Sequence, residues 1–405
     1  MKKYPSLITN YRLVCLLWIA VAVFCWHYKF TPNHYNNYVI FKQVYHHTRA
    51  QVNLYAEYPT EYYDFNYYGP TFSILMAPFA LMPDVWGFLC WSLFSAVALL
   101  WAVNLLPISE KRKTLLLLLC SVEFANTVHN IQFNTIVTAF IIFSFVLVSR
   151  GKDGWASFFI ALGTLIKIYP IAGIAFFIFS KNKKWFVISG LLWAAIFFML
   201  PMLISSKPFV LHSYGDWMHA LQLKNVQNVD LNTTQDISIM GVCRKLLNAA
   251  TIPNWPFLLF GAASLSAVAL RFKQYGSVIF RLQYLAAVLM MVVLFSTGSE
   301  HPTYIIAVTG AVLWMFIQKN PFTRRNIVLI VLLLVITGLG PTDAFPKYIR
   351  NEIIMNYVMK AWPCLVVWFI MMYELLFKDF LTETSSLILM TDKFERHQVD
   401  GKEAA

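Results

Sequence analysis

Charge is what this chain has least of: Asp, Glu, Lys and Arg make up 13% of its 405 residues, against about a quarter in soluble globular domains. That scarcity places it well outside the range of water-soluble enzymes. Cysteine is scarce too. Cys15, Cys25, Cys90, Cys120, Cys243 and Cys364 are the whole complement, five of them inside apolar runs, with no CxxC or Cys/His spacing, which argues against a disulfide framework or a zinc site. No internal repeat is visible, which weighs against the inverted-repeat transporters. Nor does a small-residue cleavage site follow the first apolar stretch. Trp18, Trp26 and His27 stand there instead, so the stretch reads as a retained helix and not as a removed signal.

Apolar and aromatic residues fill the space that charge leaves. They make up 59% of the chain, the 34 Phe, 20 Tyr and 13 Trp alone account for 17%, and the mean hydropathy is +0.59. This is the composition of a polytopic membrane protein, an all-α helical bundle with aromatic belts at the lipid–water interfaces. The formal charge of +12 comes from 32 Lys and Arg that fall in short clusters between apolar runs. Such clusters encode topology, so no nucleic-acid partner is expected.

Apolar runs lie near 13–28, 84–106, 114–126, 134–149, 155–167, 170–180, 185–205, 254–270, 280–297, 303–318, 326–341 and 357–377. They predict about twelve transmembrane helices, several of them short. Lys2, Lys3 and Arg12, then KRK at 111–113, KNKK at 181–184 and Arg324 with Arg325 share one side in this scheme. The positive-inside rule then selects a cytoplasmic membrane protein with both termini in the cytoplasm. Residues 1–377 form the membrane domain, and 378–405 read as a mobile cytoplasmic tail.

Two long segments, 29–69 and 206–253, fall outside, and connections of that length are usually functional. The site is therefore expected on the extracytoplasmic face. Residues 70–82, with Pro70 and Pro78, are too short to span and read as an interfacial helix on the outer leaflet. The stretch 155–180 must return to its starting side in fewer residues than two ordinary spans need, which predicts a thin hairpin with its tip at Lys167-Ile168-Tyr169-Pro170.

An ionisable group at membrane depth is a functional candidate. Lys167 could bind a lipid phosphate as a point charge or snorkel to the interface from a helix end. Glu300 and His301, with Tyr304 behind them, form an outer turn that could shuttle a proton or hold a phosphate or sugar hydroxyl; a hydrated turn with Pro302 starting the next helix is the alternative. Gln132 and Asn134 in the turn His129-Asn130-Ile131-Gln132-Phe133-Asn134 suit sugar hydroxyls, or simply cap a helix. The first outer segment carries Asn37, Tyr38, Glu61, Asp64 and many tyrosines. Such a surface contacts carbohydrate or headgroups, or belongs to an aromatic belt. The adjacent His46 and His47 point apart on either a helix or a strand, so no metal is expected there.

The order of these features resembles a known family. A helix, a long outer loop ending in YDFNYYGPTFSILMAPFALMP, a span, then HNIQFNTIVTAFIIFSFVLVSRGKDGWASFFIALGTLIKIYPIAGIAFFIFSKNKKW and STGSEHPTYIIAVTG are similar to the polyprenol-phosphate-sugar-dependent glycosyltransferases of the GT-C superfamily. The likeness is greatest to glycosyltransferase family 87, the alpha-1,2-mannosyltransferase-like group. It runs from about Arg12 to residue 318, carried by Tyr68-Gly69-Pro70, Gln132-Phe133-Asn134, Lys167 to Pro170 and His301.

The resemblance implies a hexosyltransferase acting on the outer face. It would use a polyprenyl-phosphate sugar such as the mannosyl donor, a lipid-linked or envelope glycan acceptor, membrane lipid around it and no cofactor. Lys167, His301 and Tyr169 would hold the donor phosphate. Asn37, Tyr38, Gln132, Asn134, Glu300 and Tyr304 would contact substrate, and no metal is required because the leaving group already carries its charge. The departure is at the family's acidic residue, where this chain has Asn36-Asn37-Tyr38. An amide cannot act as a base, so either Asp64 or Glu61 takes that role or transfer by this route is lost. Two other readings stay open: a lipid-linked-sugar transporter, or a catalytically silent relative acting as a subunit.

Overall fold

A computed structural model describes residues 10–31 and 34–381, and no strand occurs among them. The α-helices are, in chain order, α1 (Tyr11–Lys29), α2 (Asn36–Ala50), α3 (Phe72–Ala80), α4 (Asp84–Asn104), α5 (Glu110–His129), α6 (Asn134–Ser149), α7 (Asp153–Ile166), α8 (Lys183–Met199), α9 (Lys207–Asn228), α10 (Ile239–Leu247), α11 (Trp255–Ala269), α12 (Val278–Leu294), α13 (Tyr304–Ile317), α14 (Arg324–Leu332) and α15 (Ala361–Phe377). Lys2, Lys3 and the tail from 382 onward lie outside the described residues.

The centre of the bundle is set by helices that are apolar on every side, since such a helix has no face to give to water. All of α13 is buried, as are nearly all of α6 and α12. The outer ring is the reverse. On α1 and α8 large apolar side chains such as Phe24 (67% exposed) and Leu191 (68% exposed) point outward, a surface that needs lipid as its solvent.

Three stretches, Tyr11–Lys29, Asp84–Asn104 and Lys183–Leu203, are long and apolar enough to cross a membrane, and seven shorter apolar helices accompany them among the described residues. Local signals start several helices. Asn10 accepts from the Arg12 and Leu13 amides to cap α1, and Ser109 caps α5 with Glu110 in its first turn. Pro83 ends the α3 connection and opens α4.

Both long segments, 29–69 and 206–253, which the sequence pattern leaves as loops, contain helices: α2 lies inside the first, with α3 just after it, and α9 and α10 fill much of the second. Tyr38 is buried in α2 and donates its hydroxyl to the Phe79 carbonyl at 3.0 Å, fastening α3 onto α2. Phe72 and Met76 on α3 are fully buried.

The hairpin between 153 and 180 solves its length problem by changing helix type. Its first arm is α7, the chain turns extended at Lys167, and the return arm Tyr169–Phe179 is a 3₁₀-helix with Pro170 in its first turn. Fourteen α-helical residues rise about 21 Å. Eleven 3₁₀ residues rise about 22 Å, so the shorter arm matches the longer.

Gly163 is what lets the arms meet: a Cβ there would lie 2.6 Å from the Pro170 ring. At Gly69 a Cβ would stand 2.1 Å from the Leu165 carbonyl, and the Gly69 amide donates to Ile166 at 2.9 Å. This close approach docks the end of the segment 29–69 against the hairpin tip.

Candidate functional site

The segment 51–69, the hairpin tip, α9 and the turn after α12 converge on a cavity of about 670 Å³. Asp64, Tyr67 and Tyr68 enter it from the first segment, Asn126, Asn130 and Gln132 from the end of α5, and Lys167 with Tyr169 from the tip. Ser296, Gly298, Glu300 and His301 close another side, with Gly338, Pro341 and Thr342 beyond them.

Lys167 is held without a carboxylate. Its Nζ donates to Asn134 Oδ1 at 2.8 Å and lies 5.7 Å from the Tyr68 ring centre and 5.2 Å from that of Tyr169. The amide oxygen and the two aromatic faces orient the ammonium but leave its charge uncancelled. The carboxylate of Glu300 lines the same cavity.

The surrounding rings are fixed in turn. Tyr68 donates to Gln132 Oε1 at 3.3 Å, Tyr169 donates to the Gly298 carbonyl at 2.8 Å, and Ser296 Oγ donates to the Tyr169 hydroxyl at 3.3 Å.

Asp64 lies on the cavity wall with φ of 82°, a left-handed backbone that a residue with a Cβ rarely adopts. The segment around it is bracketed. Asn36 donates to the Tyr63 carbonyl at 2.5 Å and accepts from the Tyr63 amide at 2.9 Å, while Asn66 caps the turn through the Tyr68 amide at 3.0 Å.

Asn37 lines the cavity and donates its amide to the Asn130 carbonyl at 2.8 Å. A carboxylate at either position 36 or 37 would set oxygen against oxygen, so both amides are explained by scaffold contacts.

The residues singled out from sequence separate into two groups. Asp64, Lys167, Tyr169, Asn37, Gln132, Glu300 and His301 line the one cavity. Asn134 stands behind it as the partner of Lys167. Glu61 turns away, its Oε2 lying 2.9 Å from His47 Nε2, and Tyr38 is spent on α3. Tyr304 is fully buried, donating to the Ile237 carbonyl at 2.8 Å.

Glu300 forms a reciprocal cap with Thr303 that fixes the turn carrying His301. Nδ1 of His301 is buried and has no protein partner. Among the described residues no three His, Cys, Asp or Glu side chains gather as a metal site would need.

The largest omission from the sequence reading is α9. Trp217, Leu221, Lys224, Asn225 and Asn228 line the cavity from one face of it. Trp217 donates to the Tyr67 carbonyl at 3.0 Å, and Lys224 lies 4.8 Å from the Tyr67 ring centre. Asn225 accepts from Thr297 at 2.6 Å and Asn228 donates to its carbonyl at 3.0 Å. Trp217, Leu221, Lys224 and Asn228 recur at helical spacing but mix apolar and polar side chains, so no stripe marks this face in the sequence.

Compared with known proteins, residues 66–297 match the family model described as Glycosyltransferase family 87, more than half of the chain. No curated protein matches the chain.

Proposed function

Because the chain belongs to glycosyltransferase family 87, we propose that it moves a hexose such as mannose from a polyprenyl-phosphate donor to a lipid-linked or envelope acceptor. The observation that carries this reading is Lys167, a cation seated by an amide and two tyrosine rings where a phosphate could supply the missing counter-charge. A carboxylate in a left-handed turn, Asp64, shares its cavity.

In the proposed step Asp64 takes the proton from the acceptor hydroxyl, whose oxygen attacks the anomeric carbon. The bond from that carbon to the phosphate oxygen breaks, and its electron pair leaves with the lipid phosphate. Lys167 and His301 stabilise the departing charge. Glu61 has no part in this step, since it faces His47 and not the cavity.

The membrane arrangement that fits this chemistry has both termini in the cytoplasm, about twelve crossings in residues 1–377, α3 lying along the outer interface and the cavity opening outward. Supporting it are the basic clusters in the short connections and the outward apolar faces of α1 and α8. The silent-subunit alternative rests on Asn37 at the family's acidic position, and Asp64 answers it by supplying another carboxylate to the same cavity.

The test is transfer of radiolabelled mannose from synthetic polyprenyl-phosphate mannose to a membrane lipid extract. Asp64→Asn is expected to lower the rate by about 10²- to 10⁴-fold. Folded Asp64→Asn and Lys167→Met proteins that both transfer at the wild-type rate would sink the mechanism.

A further inference from the structure

A second lysine is buried in the molecule, and the mechanism above does not use it. Lys360, just ahead of α15, places Nζ 2.6 Å from Glu123 Oε1 on α5, and each side chain is 2% exposed. The two residues are 237 positions apart in the chain.

Lys360 also donates to the Thr337 carbonyl at 2.9 Å and sits 5.0 Å from the centre of the Tyr304 ring; Thr337 Oγ1 donates back to the Lys360 carbonyl at 2.8 Å. One turn beyond Glu123, Thr127 donates to both the Glu123 and Pro302 carbonyls, at 2.8 and 2.7 Å.

Three pieces of chain that reach the cavity are therefore tied to one ion pair. Asn126 lies between Glu123 and Thr127 on α5. His301 precedes Pro302, which Thr127 holds, and Tyr304, which lies against Lys360. Gly338, Pro341 and Thr342 follow Thr337, whose carbonyl Lys360 holds. Asn126, His301, Gly338, Pro341 and Thr342 all line the cavity.

The chain around Lys360 is irregular in a way that needs such an anchor. Leu333–Leu339 and Ile349–Met355 are π-helical, and Val358 is left-handed with φ of 51°. A β-branched residue takes that conformation only when its surroundings enforce it, and π-helical turns are uncommon outside functional regions.

We propose that Glu123 and Lys360 are positioning residues: their ion pair sets His301 and the Gly338–Thr342 wall at the separation that seats the lipid-phosphate end of the donor. This rests on the donor reading given above. Neither side chain touches substrate, so the pair acts through His301 and that wall, first on how well the donor is held and, through His301, on the departing phosphate.

The experiment uses the full chain in lipid nanodiscs, with radiolabelled polyprenyl phosphate as the probe and label retained above that on empty nanodiscs as the binding signal. Lys360→Met and the double variant Glu123→Gln/Lys360→Met are compared with Lys360→Arg, which keeps the cation. The double variant leaves no unpaired buried charge, so it remains measurable where the single variant fails to fold.

Tenfold or greater weakening of binding in the neutral variants is expected, with recovery to within threefold of wild type in Lys360→Arg. Donor KM should rise in parallel, and any fall in kcat at saturating donor should be smaller than the rise in KM. A folded double variant that binds polyprenyl phosphate as wild type does would overturn the inference.

Hydrogen exchange separates this from failure of the donor reading. If wild type does not bind the probe, the donor reading falls, and amide exchange in 296–304 and 337–342 decides the positioning role. At least tenfold faster exchange in the double variant supports it, and wild-type exchange in both segments refutes it.

Discussion

Among the described residues, fully buried Lys360 and half-buried Lys167 are treated by the fold in opposite ways. Lys360 is given a carboxylate at 2.6 Å, a carbonyl and an aromatic face. Lys167 is given an amide oxygen and two aromatic faces but no ion-pair partner. A paired ammonium has little left to offer a ligand. An oriented but uncancelled one retains its field, which is what binding a phosphate requires. The difference between them separates a charge that organises the protein from one that is open to substrate.

The sharpest way to break the comparison is to remove each ammonium by a methionine of similar length. Lys360→Met strands the Glu123 carboxylate in the interior and is expected to cost about 3–5 kcal/mol of stability, read as a fall in the unfolding midpoint. Lys167→Met strands nothing of opposite charge. It should leave the midpoint within a few degrees of wild type while slowing transfer by about 10²- to 10³-fold, roughly 2.7–4 kcal/mol of barrier. Equal stability losses in the two variants would erase the distinction.

A gentler change converts one site into the other. Asn134→Asp would give Lys167 the carboxylate that it lacks, at the position where Asn134 Oδ1 now accepts at 2.8 Å. The new pair should lower donor affinity about tenfold, or roughly 1.4 kcal/mol, with no loss of thermal stability. Unchanged donor affinity would show that the uncancelled charge is not what the site uses.

How far these features could be read from the chain depended on whether their cause was local. The hairpin was legible because its constraint is arithmetic: charged flanks fix the ends, Pro170 fixes the break, and too few residues lie between for two full spans. Placing Lys167 and Gln132 at turns between helices followed from the same bookkeeping.

The cavity face of α9 was not read because apolar and polar residues are spread around that helix with no clean stripe. Its function depends on reaching Tyr67 and Thr297, contacts that only the assembled fold creates. Glu123 and Lys360 were hidden for a related reason. Each is a single charge in an otherwise apolar run, and hydropathy gives no hint that residues so distant in sequence meet. Asn36 and Asn37 show the converse case, since the departure from the family's acidic residue was visible but its reason, two amides spent on backbone groups, was not.

The smallest expected effect is also the most specific to Lys167. Lys167→Arg keeps the cation but replaces a compact ammonium with a planar guanidinium, which the seat built from Asn134 Oδ1 and the Tyr68 and Tyr169 rings would hold less closely. The variant should transfer more slowly than wild type but faster than Lys167→Met, and equal rates in the two variants would show that the charge itself is not what the site uses.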